Sequence, residues 1–250
     1  MANRQIIEET SNKTVYKEGD RIVKEFKPSH PKSNVFNEAY IHACVEEAGV
    51  SVPHIISVAP SADGGWALAM EYVEGTTLQQ MMDDAPDKKE EYIEKLVDIQ
   101  TEVCTHKVPK LRNTRYKMED VISGMTEIDA TARYELLQRI HGMKRHTRLC
   151  HGDFVPSNVV IRGDGSYCIL DWAHATSGNA GADAAITYMR FSLQDPELAE
   201  LYLKTYCRKA DMALQYVQSW LPIVAAAQLT KHVPGEKDLL EQWVSVAEYQ

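Results

Sequence analysis

The segment His151-Gly152-Asp153-Phe154-Val155-Pro156-Ser157-Asn158, followed after a short stretch by Asp171-Trp172, holds the residue types best suited to chemistry in this chain. Val159 to Arg162 reads as a strand, Gly163-Asp164-Gly165 as a turn, and Ser166 to Leu170 as the returning strand. The ends of such a hairpin lie side by side, which brings Asn158 and Asp171 together. An amide oxygen beside a carboxylate is a hard-oxygen site suited to Mg²⁺, an ion that takes few protein ligands and fills its shell with water and nucleotide phosphates. Asp153 lies five residues before Asn158 on a loop that projects into the same mouth. A carboxylate that does not hold the metal can orient an attacking hydroxyl and accept its proton, which is what phosphoryl transfer requires.

These residues need a frame, and the pattern of the chain changes near residue 73. Before it, β-type runs dominate: Gln5 to Glu9, Thr14 to Lys17, Arg21 to Phe26, His54 to Val58 and Trp66 to Tyr72. Glu18-Gly19-Asp20 and Asp63-Gly64-Gly65 supply tight turns between them. One helix, Ser33 to Glu47, interrupts the set, with Ser33 as N-cap and Gly49 as its stop. Beyond residue 73, Tyr92, Ile93, Leu96, Val97 and Val103 recur at helical spacing. Further helices are expected near 130–144, 179–192, 196–209, 211–229 and 236–248, with Pro222 kinking the fourth of these. Asn158 to Asp171 is the one β element expected in this half. The reading is an α+β chain: a small β-rich part with one helix, joined to a larger, mainly helical part.

The run His151 to Asn158 with Asp171 resembles the HGD-x-x-x-x-N and [IL]DW signatures of the aminoglycoside phosphotransferase and choline kinase family, small-molecule relatives of protein kinases. The resemblance extends over nearly the whole chain. It implies a two-lobed, protein-kinase-like fold, with an antiparallel-sheet nucleotide lobe at residues 1–72 and a catalytic and substrate-binding lobe at 73–250. It also implies ATP, with GTP as the alternative nucleotide, Mg²⁺, and transfer of the γ-phosphoryl group to a substrate hydroxyl. By matching position, Asp153 is the catalytic base, and Asn158 and Asp171 are the metal ligands. His151 braces the catalytic loop, and Asp183 steadies the active-site loops. Lys24 in the strand Arg21 to Phe26 and Glu38 on the following helix are similar to the lysine and glutamate pair of kinases, with Lys27 as the competitor if the register shifts. No glycine-rich loop precedes Lys24, and the turn at Thr10 to Tyr16, with Ser11 and Asn12, takes that place through its backbone N–H groups. Met70 to Leu78 resembles the hinge, with backbone groups of Glu71 and Val73 on the adenine edge and Met70 against the ring. Trp172 reads as packing and His174 as structural.

Composition sets the outer bounds. With 250 residues and 44% hydrophobic content, the chain supports a large core, which excludes disorder. Its 36 acidic against 27 basic residues give a net charge of −9, which disfavours nucleic acid and anionic membrane as partners. The densest basic stretch, Lys107 to Lys117, is thinly spaced and reads as a solvated loop. No apolar run suffices to cross a bilayer, and MANRQIIEETSNK lacks the features of a secretion signal. Cys44, Cys104, Cys150, Cys168 and Cys207 are scattered, odd in number and without a C-x-x-C pair, as reduced cysteines of a cytoplasmic protein are. No obligate protein partner is evident.

The excess of acid fits a cationic acceptor such as an aminoglycoside, choline or another amino alcohol, while sugar-like acceptors, nucleosides and amino-acid hydroxyls stay open. Tyr216, Trp220, Trp243 and Tyr249 read as core aromatics of the last helices rather than pocket walls. Two other functional classes compete. A protein-directed kinase is disfavoured because Asp171 to Asp183 is too short for an activation segment and carries no APE-type ending. A nucleotide-binding pseudokinase or regulatory module is disfavoured by the complete set Lys24, Glu38, Asp153, Asn158 and Asp171.

Overall fold

A computed structural model describes residues 4–245. In chain order the elements are β1 (Arg4–Glu9), β2 (Lys13–Glu18), β3 (Arg21–Phe26), α1 (Lys32–Glu47), β4 (Ile55–Pro60), β5 (Trp66–Glu71), β6 (Thr76–Thr77), α2 (Leu78–Asp84), α3 (Lys89–Val103), α4 (Thr114–Gly124), α5 (Ala130–Gly142), β7 (Arg148–Cys150), β8 (Val159–Ile161), β9 (Tyr167–Ile169), β10 (Thr176–Gly178), α6 (Ala180–Ser192), α7 (Pro196–Lys209), α8 (Leu214–Gln218), α9 (Leu221–Leu229) and α10 (Lys237–Ser245). The class is α+β. The chain packs as two units: residues up to Met81 together with Pro156–His174, and Met82–Val155 together with residues from Ala175 onward.

The first unit is built on an antiparallel sheet in the order β1-β2-β3-β5-β4. Alternation along β3 and β5 sorts side chains to two faces. Val23 and Ala69 pack with Tyr16 on one face, and Phe26, Leu68 and Met70 pack with Val35 of α1 on the other. Val23, Val35, Phe26, Leu68 and Met70 each contribute about 1.5–3 kcal/mol through removal from water. The helix α1 starts one residue before Ser33: its cap position is Pro31, whose side chain offers no acceptor, and Ser33 lies within the first turn. A proline just ahead of the first turn presets the backbone, so the serine is not needed as a cap. Gly49, with φ 81°, ends the helix as its sequence position predicts.

The unit runs past Tyr72 and takes in the second hairpin because backbone pairing ties them together. A three-stranded sheet has the order β6-β8-β9, and the Ile169 N–H donates to the Ser51 carbonyl at 2.9 Å. Val73, Val160 and Cys168 form a small core there, flanked by Leu170.

The second unit is helical with one two-stranded ladder, β7 with β10. Tyr92, Ile93, Leu96, Val97 and Val103 are buried along α3, as their spacing predicts. The stretch Lys107 to Lys117 is not a solvated loop throughout. Asn113 accepts from the Arg115 N–H at 3.0 Å and caps α4, whose Thr114, Met118 and Ile122 are buried on one face. The strands β7 and β10 are three residues each, too short to leave an alternating pattern in sequence. The run 211–229 is not one kinked helix but two, α8 and α9, with Pro222 in the first turn of the second, where its missing N–H costs nothing. Tyr249 and the predicted end of the last helix at 248 lie outside the described residues. All five cysteines are free thiols, four of them buried. Among the described residues no helix is long and apolar enough to cross a membrane.

Candidate active site

In the first unit, β3 and α1 aim Lys24 and Glu38 at one another. Lys24 Nζ lies 2.7 Å from Glu38 Oε1 and 2.8 Å from Asp171 Oδ1. Lys24 is buried, while Lys27 lies past the end of the strand and is exposed, which settles the register in favour of Lys24. Burial works to lower the lysine pKa, but the Asp171 and Glu38 carboxylates outweigh it and hold the ammonium above its ordinary value.

The hairpin β8-β9 places the other two residues as their sequence spacing predicts. The Leu170 N–H donates to the Asn158 carbonyl at 2.8 Å, so Asn158 and Asp171 stand at adjacent strand ends. The turn closes through Arg162 N–H to the Ser166 carbonyl at 2.8 Å, with Gly165 at φ 84°. Asp171 itself has φ 56°, a left-handed backbone that costs an aspartate about 1 kcal/mol or more and clusters at functional sites. Trp172 is buried and donates Nε1–H to the Ile169 carbonyl at 3.0 Å, a packing position, and His174 is exposed. Among the described residues no three His, Cys, Asp or Glu side chains gather as a metal cluster. The pair of hard oxygens at Asn158 and Asp171 fits an ion that draws the rest of its shell from phosphate and water, as Mg²⁺ does.

The remaining predicted nucleotide contacts also belong to this unit. Ser11 and Asn12 are exposed at the β1–β2 turn, which Thr10 fixes by accepting on Oγ1 from the Lys13 N–H at 3.1 Å. Met70 is buried in the cluster with Phe26, Val35 and Leu68. The Glu71 N–H donates to the His54 carbonyl at 2.9 Å. Val73 is buried. Gly75, at φ 153°, sits so close to β8 that a Cβ there would run into the Ile161 carbonyl.

Asp153 belongs to the second unit, on a loop held at several points. Asp183 is buried in the first turn of α6, where its Oδ1 accepts from the Gly152 N–H at 2.7 Å and its Oδ2 from Gln100 Nε2–H at 3.1 Å. Burial pushes the Asp183 carboxyl pKa up, against the opposing pull of the Gly152 N–H. Thr187, one turn on, donates to the Phe154 carbonyl at 3.0 Å. His151 is fully buried, accepts on Nδ1 from the Asp153 N–H at 3.2 Å, and meets Phe154 edge to face. These contacts give His151 and Asp183 the bracing positions that the sequence suggests for them.

The surroundings of Asp153 include residues that sequence reading did not single out. Arg190 Nε lies 3.2 Å from Asp153 Oδ1, and its Nη1 lies 3.9 Å from Glu236 Oε1. Glu236 is held in turn by Gln228 Nε2–H at 2.7 Å. Asp183, Thr187 and Arg190 stand four and three residues apart on α6. That shared helical face is the signal by which Arg190 could have been found. The aromatic candidates do not converge. Trp220 is core, Tyr216 accepts from Asn179 Nδ2–H at 2.5 Å, and Trp243 stacks on Tyr188 with ring centroids 6.0 Å apart.

The strand lysine paired with a helix acid and a post-hairpin aspartate, and the HGD loop, are the features by which the sequence resembles a phosphotransferase. The chain belongs to the phosphotransferase enzyme family (APH), which it matches over residues 3–216. Its solved structural relatives include a thermostable mutant of aminoglycoside phosphotransferase APH(4)-Ia in ternary complex with ADP and hygromycin B, at 11% identity and a TM-score of 0.72, covering 98% of this chain and 92% of that one. They also include LicA in complex with AMP, at 14% identity and 0.67, covering 98% and 92%. A third is an aminoglycoside-3'-phosphotransferase of type VIII, at 16% and 0.64, covering 88% and 92%. No curated protein matches the sequence significantly. The structural likenesses show a shared protein-kinase-like fold.

Proposed function

We propose that this protein transfers the γ-phosphoryl group of ATP to a hydroxyl of a small molecule in a Mg²⁺-dependent reaction. The observation that carries the reading is the buried bridge from Glu38 through Lys24 to Asp171 in a chain of the phosphotransferase family. Lys24 contacts the α- and β-phosphates and Glu38 fixes its ammonium. Asn158 and Asp171 hold the metal, which offsets charge on the phosphates when bound. Asp153 orients the acceptor hydroxyl: its oxygen bonds to the γ-phosphorus, the bond to the β–γ bridging oxygen breaks to leave ADP, and the hydroxyl proton passes to Asp153.

The Glu71 carbonyl and the Val73 N–H pair with the adenine edge, and Met70 backs the ring. A guanine presents the reverse pattern of donor and acceptor on that edge, so ATP is favoured over GTP. The β1–β2 turn at Ser11 and Asn12 offers N–H groups to phosphate oxygens. By role, residues 1–72 form the nucleotide lobe and 73–250 the catalytic and acceptor-binding lobe. Free, mostly buried thiols suit the cytoplasm, where ATP is abundant.

The acceptor is sought first among aminoglycosides, amino alcohols such as choline, and sugar-like compounds. Two of the structural relatives are named as aminoglycoside phosphotransferases, and one of these is bound to hygromycin B. The test is transfer of label from γ-labelled ATP with Mg²⁺ across a panel of these compounds and nucleosides, wild type against Asp171→Ala. Acceptor-dependent transfer lost in the variant is expected. If ATP raises the melting temperature of the wild type but no acceptor takes label, hydroxylated carboxylates and sugar phosphates included, the pseudokinase reading replaces this one.

A further inference from the structure

The charge beside Asp153 differs in sign from the charge of the whole chain. Arg190 approaches Asp153 at 3.2 Å and Glu236 at 3.9 Å, and both of its partners are themselves held by their own loops and neighbours. Its Nε–H is buried and meets no acceptor in hydrogen-bonding alignment, so the ion pair with Asp153 leaves that donor unused. The side chain as a whole keeps 32% of its surface exposed. Lys231, exposed on the turn after α9, lies within the electrostatic reach of Asp153, Arg190 and Glu236, and Lys117 of α4 lies within reach of Lys231.

Arg190 therefore lies against the carboxylate to which an acceptor hydroxyl must come, with Glu236 on its other side and Lys231 near enough to feel the charge of all three. A polyammonium acceptor would bring like charge against Arg190 and Lys231. A carboxylate or phosphate on the acceptor matches the planar fork of an arginine, which holds such groups through paired N–H donors.

Building on the assignment of Asp153 as the base, we propose that the acceptor carries an anionic group, a carboxylate or a phosphate, received by Arg190 and Lys231 while its hydroxyl lies against Asp153. Arg190 is then a specificity-determining residue. A guanidinium that only positioned Asp153 would change the turnover of every acceptor equally; one that receives an anion changes the ranking of acceptors.

The test uses two charge series on the full chain with Mg·ATP. The first is L-serine, L-serine methyl ester and ethanolamine, and the second is D-gluconate, glucose 6-phosphate, glucose and glucosamine. Equilibrium binding by calorimetry and label transfer are both read, for wild type, Arg190→Gln, Arg190→Lys and Lys231→Gln. In the wild type, the anionic members should exceed their neutral counterparts by about tenfold to a hundredfold, the worth of a charge-assisted hydrogen bond. Gluconate against glucose 6-phosphate tells carboxylate from phosphate. Arg190→Gln should collapse the preference, Arg190→Lys should retain part of it, and Lys231→Gln should weaken it. Anion-selective binding without transfer to any acceptor would keep this inference and overturn the phosphotransferase reading. Transfer without an anion preference would do the reverse. Preference for ethanolamine or glucosamine, an unaltered ranking in Arg190→Gln, or no anion-selective binding at all would overturn the inference.

Discussion

Lys24 Nζ lies 2.8 Å from Asp171 Oδ1, joining a strand of the first sheet to the residue that follows the second hairpin, 147 positions later in the chain. With Glu38 at 2.7 Å the ammonium sits between two carboxylates in a buried setting. Removing it leaves two like charges facing one another, Glu38 mostly buried and Asp171 half-buried. Lys24→Met should therefore destabilise the protein by about 3 kcal/mol, the low end for breaking a buried pair. Because the lysine pKa is raised, its ammonium contributes fully at neutral pH and is lost only above the ordinary lysine range. Urea unfolding at pH 5, 7 and 9 checks the sign. A variant as stable as wild type at all three would show that the bridge has no energetic role.

Asp183→Asn should lower the melting temperature less than Asp183→Ala does, since the amide keeps one acceptor while its NH2 faces the Gln100 donor. Burial already penalises the ionised carboxyl at this site, and an amide oxygen can still accept from the Gly152 N–H. Asp183→Ala removes both acceptors and should cost about 1–3 kcal/mol for the buried donors left unpaired. Thermal denaturation of the two variants side by side decides it, since equal losses would contradict this account.

Lys117 provides the pH prediction. Burial, with Lys231 and Arg112 adding to it, pushes the Lys117 pKa down to about 8. Between that value and the ordinary lysine range, the unfolded chain binds a proton that the folded chain does not, so stability should rise with pH across this window. Lys117→Met should be more stable than wild type at pH 7 and show a flatter rise between pH 8 and 10. Parallel stability curves for the two proteins would refute the assignment.

Gly75→Ala should be destabilising, because its φ of 153° suits only glycine and the added Cβ would meet the Ile161 carbonyl. A loss of about 1–3 kcal/mol is expected for such a backbone conflict. Gly163→Ala, where a Cβ meets open space, serves as the control. Equal melting temperatures for the two would show that the approach of Gly75 to β8 is not tight.

The parts of the fold legible in sequence are those with local signals. The hairpin that aligns Asn158 with Asp171 announces itself through Gly163-Asp164-Gly165, and alternation along Arg21 to Phe26 distinguishes Lys24 from Lys27. Helix α4 is hidden in the sequence because Arg112, Arg115 and Lys117 surround a buried stripe, Thr114, Met118 and Ile122, whose first member is polar. Ser33 looked like a cap because serine has the right chemistry, yet Pro31 set the start of the helix through backbone geometry alone. Arg190 and Glu236 were hidden for a different reason. Arg190 shares a helical face with Asp183, but its pairing with Glu236 joins α6 to the turn before α10, and such a long-range contact leaves no periodic trace.

The central claim is that Asp153 receives the proton of an acceptor hydroxyl during phosphoryl transfer. The most direct measurement is Mg²⁺-dependent label transfer from γ-labelled ATP to the best acceptor, wild type against Asp153→Asn, with ATP binding followed in the same preparations. The account predicts a fall in turnover of about 10²–10⁴-fold, the usual worth of a positioned general base, with ATP affinity retained. Transfer by Asp153→Asn at the wild-type rate would contradict it.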